Sequence, residues 1–432
     1  MLIEFSVSNY WSFRERQTLS LVAATRDSKL PDNVLDKKLP GLAKTRFLKT
    51  AAVYGANASG KTNLWRAAMF MRDFVTGSAS GTNEGDPIDT IPFLLGKGES
   101  ERPSEFEVIF EHEGTRYQYG FSVDKERVHE EWLNAYPEGR AQRWFHRSLA
   151  DNGHDYKWRF SPTNFRGDRG GLKEKTRTNA LFLSTAAQFN HEQLRIVYIW
   201  FSRYFHGIGN VAGLTLSPLS GITELMLVKE KVNAEAVMGL LRQADLGILR
   251  VEVEQREVGP SDFPPDMPAD IRRKLLGELE KALITKSRWF HERTGTGKDV
   301  EFTGEQESAG TRKFFALIGP WLEALRSGYT VFIDEIGANM HPLLVRQLIR
   351  MFHDPEVNSK GAQLVLTTHD TTLLDMSLFR RDQIWFTEKD EVGGTVLFPL
   401  TDFKPRDNEA LQKGYLAGRY GGIPFFEGEL TF

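Results

Sequence analysis

The run Gly55-Ala56-Asn57-Ala58-Ser59-Gly60-Lys61-Thr62 matches the spacing G-x-x-x-x-G-K-[S/T] in full. Its glycines let the backbone curl so that N–H groups point at phosphate oxygens. The lysine then reaches the outer phosphates, and the threonine hydroxyl binds Mg²⁺. The candidate phosphate contacts are Gly55, Asn57, Ser59, Gly60, Lys61, Thr62 and Asn63. A second run, Val331-Phe332-Ile333-Asp334-Glu335, is apolar and ends in two acids. Beside a glycine loop, Asp334 would serve the same Mg²⁺ as Thr62, and Glu335 would polarise an attacking water. Taken alone, the run reads equally as a core strand ending in solvated carboxylates.

Two further positions carry chemistry only in company. Glu307-Ser308-Ala309-Gly310-Thr311 opens a helix ahead of Asp334. Ser308 and Gly310 there suit a phosphate presented from outside, and Ser308 or Thr311 equally suits a plain N-cap. His369 follows the apolar run Leu364-Val365-Leu366. It can hydrogen-bond a terminal phosphate, or serve structure alone. Asp370 beside it has no companions at metal-ligand spacing.

The elements that must position these residues are readable from periodicity. Residues 1–25 alternate as strand, turn, strand, and 48–54 form a short apolar strand feeding the glycine loop and then a helix. Residues 104–135 read as three alternating strands, with a hairpin turn at Glu113-Gly114. Helical spacing covers 218–246 and 269–292, separated by a strand, ILRVEVEQREV, and a proline-rich loop. The last third alternates helix and strand, which argues for a parallel α/β sheet. Residues 140–177 are locally basic, with Trp144, Phe145, Tyr156, Trp158, Phe160 and Phe165 interleaved. That suits nucleic-acid contact, or a solvated hairpin face. The expected domains are 1–214, a mainly helical insertion over 215–295, and 296–432.

Composition bounds the classes. The chain has 432 residues, 55 Lys+Arg against 58 Asp+Glu and a net charge of -3. This does not suggest a whole-protein nucleic-acid sleeve or an acidic tail. The absence of cysteine removes disulfides, cysteine-ligated zinc, iron–sulfur clusters and thiol catalysis. No apolar run approaches membrane-spanning length and the start does not read as a signal peptide, so a cytoplasmic protein without a membrane partner is expected.

The order of glycine loop, Ser-x-Gly helix start, Asp-Glu strand and strand-end His resembles ABC-type ATPases. The segments IEFSVSNYWSF, NALFLSTAAQFN, QADLGI, ESAGT, DEIGANMHP, TTHD, RRDQIWFTEKD and GYLAGRYGGIPF are similar to RecF/SMC/OLD-related ATPases. Within these they resemble the RloA-like and AbiL-type anti-phage group. The resemblance implies an α/β ABC-type P-loop ATPase head, with an N-terminal antiparallel β lobe and a helical insertion. It implies ATP and Mg²⁺, with Lys61 and Thr62 as the Walker A pair and Asp334 and Glu335 as the Walker B pair. His369 would be the switch histidine, and Ser308 and Gly310 the signature, with a D-loop near Gly337 to Met340. Glu307, Ala309 and Thr311 depart from the usual signature residues. Gln188 is the candidate Q-loop metal contact, or an ordinary polar residue at an element's end. Phe13 and Arg14 are the candidate adenine contacts by analogy.

The resemblance further implies ATP sites shared between subunits, hence a homodimer or larger oligomer. It implies an effector encoded nearby, RloB-like or of Toprim or nuclease type, with DNA or a phage protein as trigger. After His369 only 63 residues remain and the sequence holds no D-x-D, so no nuclease is expected in this chain. The alternative is a RecF/SMC-like DNA-binding ATPase of repair.

Overall fold

The computed structural model describes residues 1–209, 217–229, 231–244, 246–257, 267, 283–293, 297–406 and 409–424. The chain divides into two compact units. One comprises Met1–Asn210, Ala324–Gly337 and Val345–Phe432, and the other Val211–Glu323 and Ala338–Leu344. In chain order the elements begin with β1 (Leu2–Ser8), β2 (Gln17–Ser20), β3 (Val34–Leu35), β4 (Phe47–Leu48), β5 (Thr50–Gly55) and α1 (Lys61–Gly77). There follow β6 (Ser104–His112), β7 (Thr115–Val123), β8 (Val128–Tyr136), β9 (Gln142–Leu149), β10 (Tyr156–Phe160), α2 (Gly170–Lys175), α3 (Phe182–Gln188), α4 (Glu192–Ile199) and β11 (Phe205–Ile208). Next come α5 (Ser217–Lys229), α6 (Lys231–Gln243), β12 (Ile248–Glu257), β13 (Leu283–Arg293), β14 (Lys298–Thr303) and α7 (Ala309–Ser327). The chain closes with β15 (Thr330–Ile333), α8 (Pro342–His353), β16 (Gln363–Thr367), β17 (Ile384–Lys389), β18 (Thr395–Pro399) and α9 (Leu411–Leu416).

The first unit holds two sheets. One is antiparallel, in the order β10-β9-β8-β7-β6-β1-β2. Its β6–β7 turn is the expected hairpin: Glu113 and Gly114 take φ of 50° and 78°, the pair of left-handed residues that a two-residue turn requires. Aromatic side chains from this sheet meet α1. Phe70 lies 4.9 Å from Phe106, and Phe74 lies 5.4 Å from Phe121, ring centre to ring centre. Phe70 and Phe74 are four apart and stack on one helix face. This packing fixes the helix that follows the glycine loop.

The other sheet runs β11-β15-β16-β5-β17-β18, with only the β17–β18 pairing antiparallel. Every residue of β5 is buried, which explains its unbroken run of small and apolar residues between two parallel neighbours. The order sets β16 beside β5 and β15 beside β16. The carboxyl ends of three strands far apart in sequence therefore meet at one edge, where open α/β sheets place their ligands. Phe332 of β15 packs edge-on against Phe5 and Phe205, tying the two sheets into one core.

In the second unit β12, β13 and β14 form an antiparallel sheet. The helical spacing over 269–292 is corrected here. Residues 283–293 are strand β13, paired on both sides, with Trp289 opposite Val251 and Phe302. Pairing with two neighbours outweighs a weak local periodicity. Residues 269–282 lie outside the described residues. Helix α7 carries Pro320 inside it. The Thr223 hydroxyl enters the helix ladder there, accepting from Gly319 N–H at 2.9 Å and donating to Phe315 O at 2.8 Å. Gly319 leaves room for it, since a Cβ would stand 2.6 Å from Thr223 N.

Near the C-terminus, Tyr415 and Tyr420 stack on Phe386, so the glycine–aromatic segment packs on the core. The FFEGELTF segment lies outside the described residues. Among the described residues no helix is long and apolar enough to cross a membrane.

Candidate functional site

Strand β5 delivers the chain to the glycine loop, and α1 starts directly after it. Ala58 and Gly60 take φ of 63° and 113°, which turns the loop through the left-handed region. A side chain on Gly60 would also collide with Thr395. Lys61 is buried, and its Nζ donates to Gly55 O at 2.8 Å and Ala56 O at 3.0 Å. Burial holds its ammonium below the usual lysine range, with Glu335 and Asp334 acting in the opposite direction. Asn57 is exposed at the loop's crest.

The two acids arrive from the end of β15. Asp334 is buried, and its Oδ2 accepts from Thr62 Oγ1 at 3.0 Å. Its Oδ1 accepts from Thr367 Oγ1 at 2.6 Å. Glu335 has a φ of 50°, a left-handed conformation that a non-glycine residue adopts at a cost of roughly 1–2 kcal/mol. Its N–H donates to Thr367 Oγ1 at 2.9 Å. Its Oε2 meets His369 Nδ1 at 2.7 Å, and its Oε1 stands 3.9 Å from Lys61 Nζ. Walker A lysine and threonine, both acids and the histidine are thus brought together from β5–α1, β15 and β16.

Sequence reading missed a chain of hydroxyls that braces the loop. Asn63 Nδ2 donates to Ser12 Oγ at 2.7 Å, and Ser12 and Thr395 hydroxyls meet at 2.7 Å. Thr395 Oγ1 donates to Ser59 O at 2.8 Å. Ser59 Oγ itself meets Thr387 Oγ1 at 2.6 Å. Strands β17 and β18 and the first turn therefore clamp the loop from three sides. Each contributor is a common residue far from the motif in sequence, and the pairing of Thr387 with Gly55 across β17 and β5 is what reveals it.

Some expected residues fall elsewhere. Gln188 is exposed at the end of α3, whose start is anchored by Leu181 N–H on Ser78 Oγ and by Ala79 N–H on Ser184 Oγ. Ser78 follows α1 at its far end, about 24 Å of helix rise from Thr62. The Q-loop assignment is thus not supported by placement. Phe13 is fully buried and cannot receive a base. It closes a backbone bridge to Tyr10, so it serves the core of the turn. Arg14 pairs with Glu99 at 3.1 Å. The exposed ring of that turn is Trp11, with the Arg66 guanidinium 4.5 Å from its centre. Ser308 and Gly310 belong to the second unit. Ser308 Oγ accepts from Thr311 N–H at 3.0 Å, the N-cap geometry, and Gly310 lies against Asn339 O.

The basic run divides: Arg140, Arg143, Lys157, Arg159, Arg166, Lys173 and Lys175 are exposed, and other members of the run pack inward. Trp144, Phe145 and Phe165 are buried, and Arg147 is fully buried. Arg147 sits 3.9 Å from the buried Glu131 and donates to the carbonyls of Ala180 and Arg177. Glu131 in turn accepts from the N–H groups of Phe182 and Leu183 at the start of α3. Burial raises the Glu131 carboxyl, against the pull of Arg147 and these donors.

A glycine loop between a parallel strand and a helix, acids at one neighbouring strand end and a histidine at another define an ABC-type P-loop ATPase head, with its antiparallel lobe. A family model described as "AAA domain, putative AbiEii toxin, Type IV TA system" matches residues 51–197 and 231–375, more than half the chain, and the chain belongs to that family. No curated protein matches the sequence. Among solved structures, the SMC head bound to the C-winged helix domain of ScpA is similar at 12% identity and a TM-score of 0.38, over 92% of this chain and 97% of that one. The SMC head domain from Thermotoga maritima is similar at 12% identity and a TM-score of 0.37, over 92% and 98%. The recombination mediator protein RecF with ATP is similar at 13% identity and a TM-score of 0.31, over 85% and 93%.

Proposed function

We propose that this chain is the ATP-binding and hydrolysing sensor or scaffold subunit of a bacterial anti-phage defence system, cytoplasmic and assembled as a nucleotide-dependent homo-oligomer that controls a separate effector. The observation that carries the reading is the convergence of Lys61, Thr62, Asp334, Glu335 and His369 in one unit. The family's toxin–antitoxin description supports the defence setting.

The residues fit ATP with Mg²⁺. A buried lysine and the N-terminus of the 17-residue α1 suit a polyphosphate. A hydroxyl and a carboxylate 3.0 Å apart are hard oxygen ligands, the number Mg²⁺ takes when phosphates and waters fill its other positions. Thr62 and Asp334 would hold the cation, which neutralises charge developing on the phosphates. Lys61 leaves its loop carbonyls to bind phosphate oxygens. Glu335 takes a proton from the attacking water, and His369 holds the Glu335 carboxylate in place. Ser308 and Gly310 complete the site from a second copy of the chain, with the Ser308 N-cap surrendering to phosphate. Trp11, rather than Phe13, is the ring of the first turn open to a base.

The test is mass photometry of the purified protein with and without ATP–Mg²⁺, for wild type, Lys61→Ala and Glu335→Gln, alone and with the product of the neighbouring gene. A defined oligomer that tightens with nucleotide and captures the neighbour supports the reading. A monomer indifferent to both, or phage resistance that survives Lys61→Ala, refutes it. One observation favours the alternative of DNA binding. A cavity of about 890 Å³ between Trp144 and His191 is flanked by Arg166 and Lys175 and by the exposed Phe189. Steeply salt-dependent DNA binding, lost on charge reversal of Arg166 and Lys175, would support that reading.

A further inference from the structure

We infer that Thr367 is the positioning residue of the Asp334–Glu335 pair, an inference that rests on the ATPase reading above and deepens it. Thr367 ends β16 and is 3% exposed. Its one hydroxyl does two things. It donates to Asp334 Oδ1 at 2.6 Å and accepts from Glu335 N–H at 2.9 Å. The first bond occupies one carboxylate oxygen of Asp334 and leaves Oδ2 turned to Thr62 Oγ1. The second pins the amide of the left-handed Glu335, whose carboxylate then meets His369. The Thr367 carbonyl adds a third tie by accepting from Ile336 N–H at 3.2 Å.

The sheet makes this possible. Thr367 pairs with Val53 of β5, two residues before Gly55, and stands one residue past the Leu366–Ile333 pair of β16 and β15. The hydroxyl is therefore referenced to the loop strand on one side and the acid strand on the other. A carboxylate that must present one oxygen to a cation, and a base that must be aimed, both need such a fixed reference. Thr367 touches neither phosphate nor water in this account; it acts through the two acids.

Thr367→Val keeps the β-branched shape and removes the hydroxyl, and Thr367→Ser keeps the hydroxyl. Outer-shell partners of this kind are worth about 10–100-fold. Two readouts are taken on the full chain, after circular dichroism and thermal unfolding confirm that both variants fold. One is the ATPase kcat. The other is the Mg²⁺ concentration for half-maximal binding of a fluorescent ATP analogue. For Thr367→Val, kcat falls and the Mg²⁺ requirement rises, each about 10-fold or more. Binding of the analogue in EDTA stays unchanged, and Thr367→Ser recovers most of both losses. Wild-type-like kcat and Mg²⁺ dependence in Thr367→Val, or equal loss in Thr367→Ser, overturns the inference while leaving the ATPase reading intact. A wild type that neither binds nor hydrolyses ATP overturns the ATPase reading, and this inference with it.

Discussion

His353 is expected to make the protein less stable in mild acid, because there only the unfolded chain takes up its proton. His353 ends α8 and is buried. Its Nε2 shares a hydrogen bond of 2.9 Å with the Thr50 hydroxyl, and Thr50 is the first residue of β5 and also bonded to Gln383. Its own carbonyl accepts from Lys49 Nζ at 2.9 Å. Burial first, then the charges of Lys49 and Arg350, pushes the imidazole from 6.5 down to about 3. The unfolded chain takes up the proton near 6.5, and the folded chain refuses it until about 3. Stability from this group is therefore complete above about pH 6.5 and declines as pH falls towards 3. The gap corresponds to about 5 kcal/mol at full acidification, of which about 2 kcal/mol is lost between pH 7 and 5. Urea unfolding followed by tryptophan fluorescence at pH 7 and pH 5 measures it, with wild type compared against His353→Gln. The glutamine variant should lose about 2 kcal/mol less than wild type over that interval. Equal losses in the two proteins would refute the argument.

Other outcomes follow from the same geometry. Glu335→Gln should lower kcat roughly 10²–10⁴-fold in a phosphate-release assay while ATP binding persists, because only the proton acceptor is lost. Gly60→Ala should destabilise the protein by more than about 1 kcal/mol in thermal unfolding, since φ is 113° and Thr395 fills the space. It should also abolish binding of a fluorescent ATP analogue. Arg147→Met should cost roughly 3–5 kcal/mol in urea unfolding, because it strands the buried Glu131.

What could be read from the sequence was whatever is local in it. The glycine loop, the strand before it and the helix after it are contiguous, so spacing and periodicity were enough. Asp334-Glu335 and His369 were visible as strand ends, and parallel pairing then set them side by side. Gln188 and Phe13 are candidates by analogy to loops whose course depends on tertiary packing, and packing takes Phe13 into the core and leaves Gln188 exposed at the end of α3. Strand β13 departs from its helical spacing because its partners β12 and β14 decide its conformation. Ser12, Thr387 and Thr395 give no signal at all in one dimension. Each is an ordinary hydroxyl, and only strand order brings them to the loop.

The left-handed backbone of Glu335 connects these levels. A non-glycine residue at that φ costs roughly 1–2 kcal/mol. Here the conformation is held by bonds from residues the sheet alone could bring near: Thr367 at the amide and His369 at the carboxylate. Glycine at 335 would remove the strain and also the base. A residue kept strained in this way, among a buried lysine and a second acid, is better explained by what its carboxylate must face than by stability. The Asp334 contact to Thr62 makes the same point from the other side. Two acids adjacent in sequence are turned to two different tasks, one towards the loop threonine and one towards the strand-end histidine, and a single buried hydroxyl on β16 separates them.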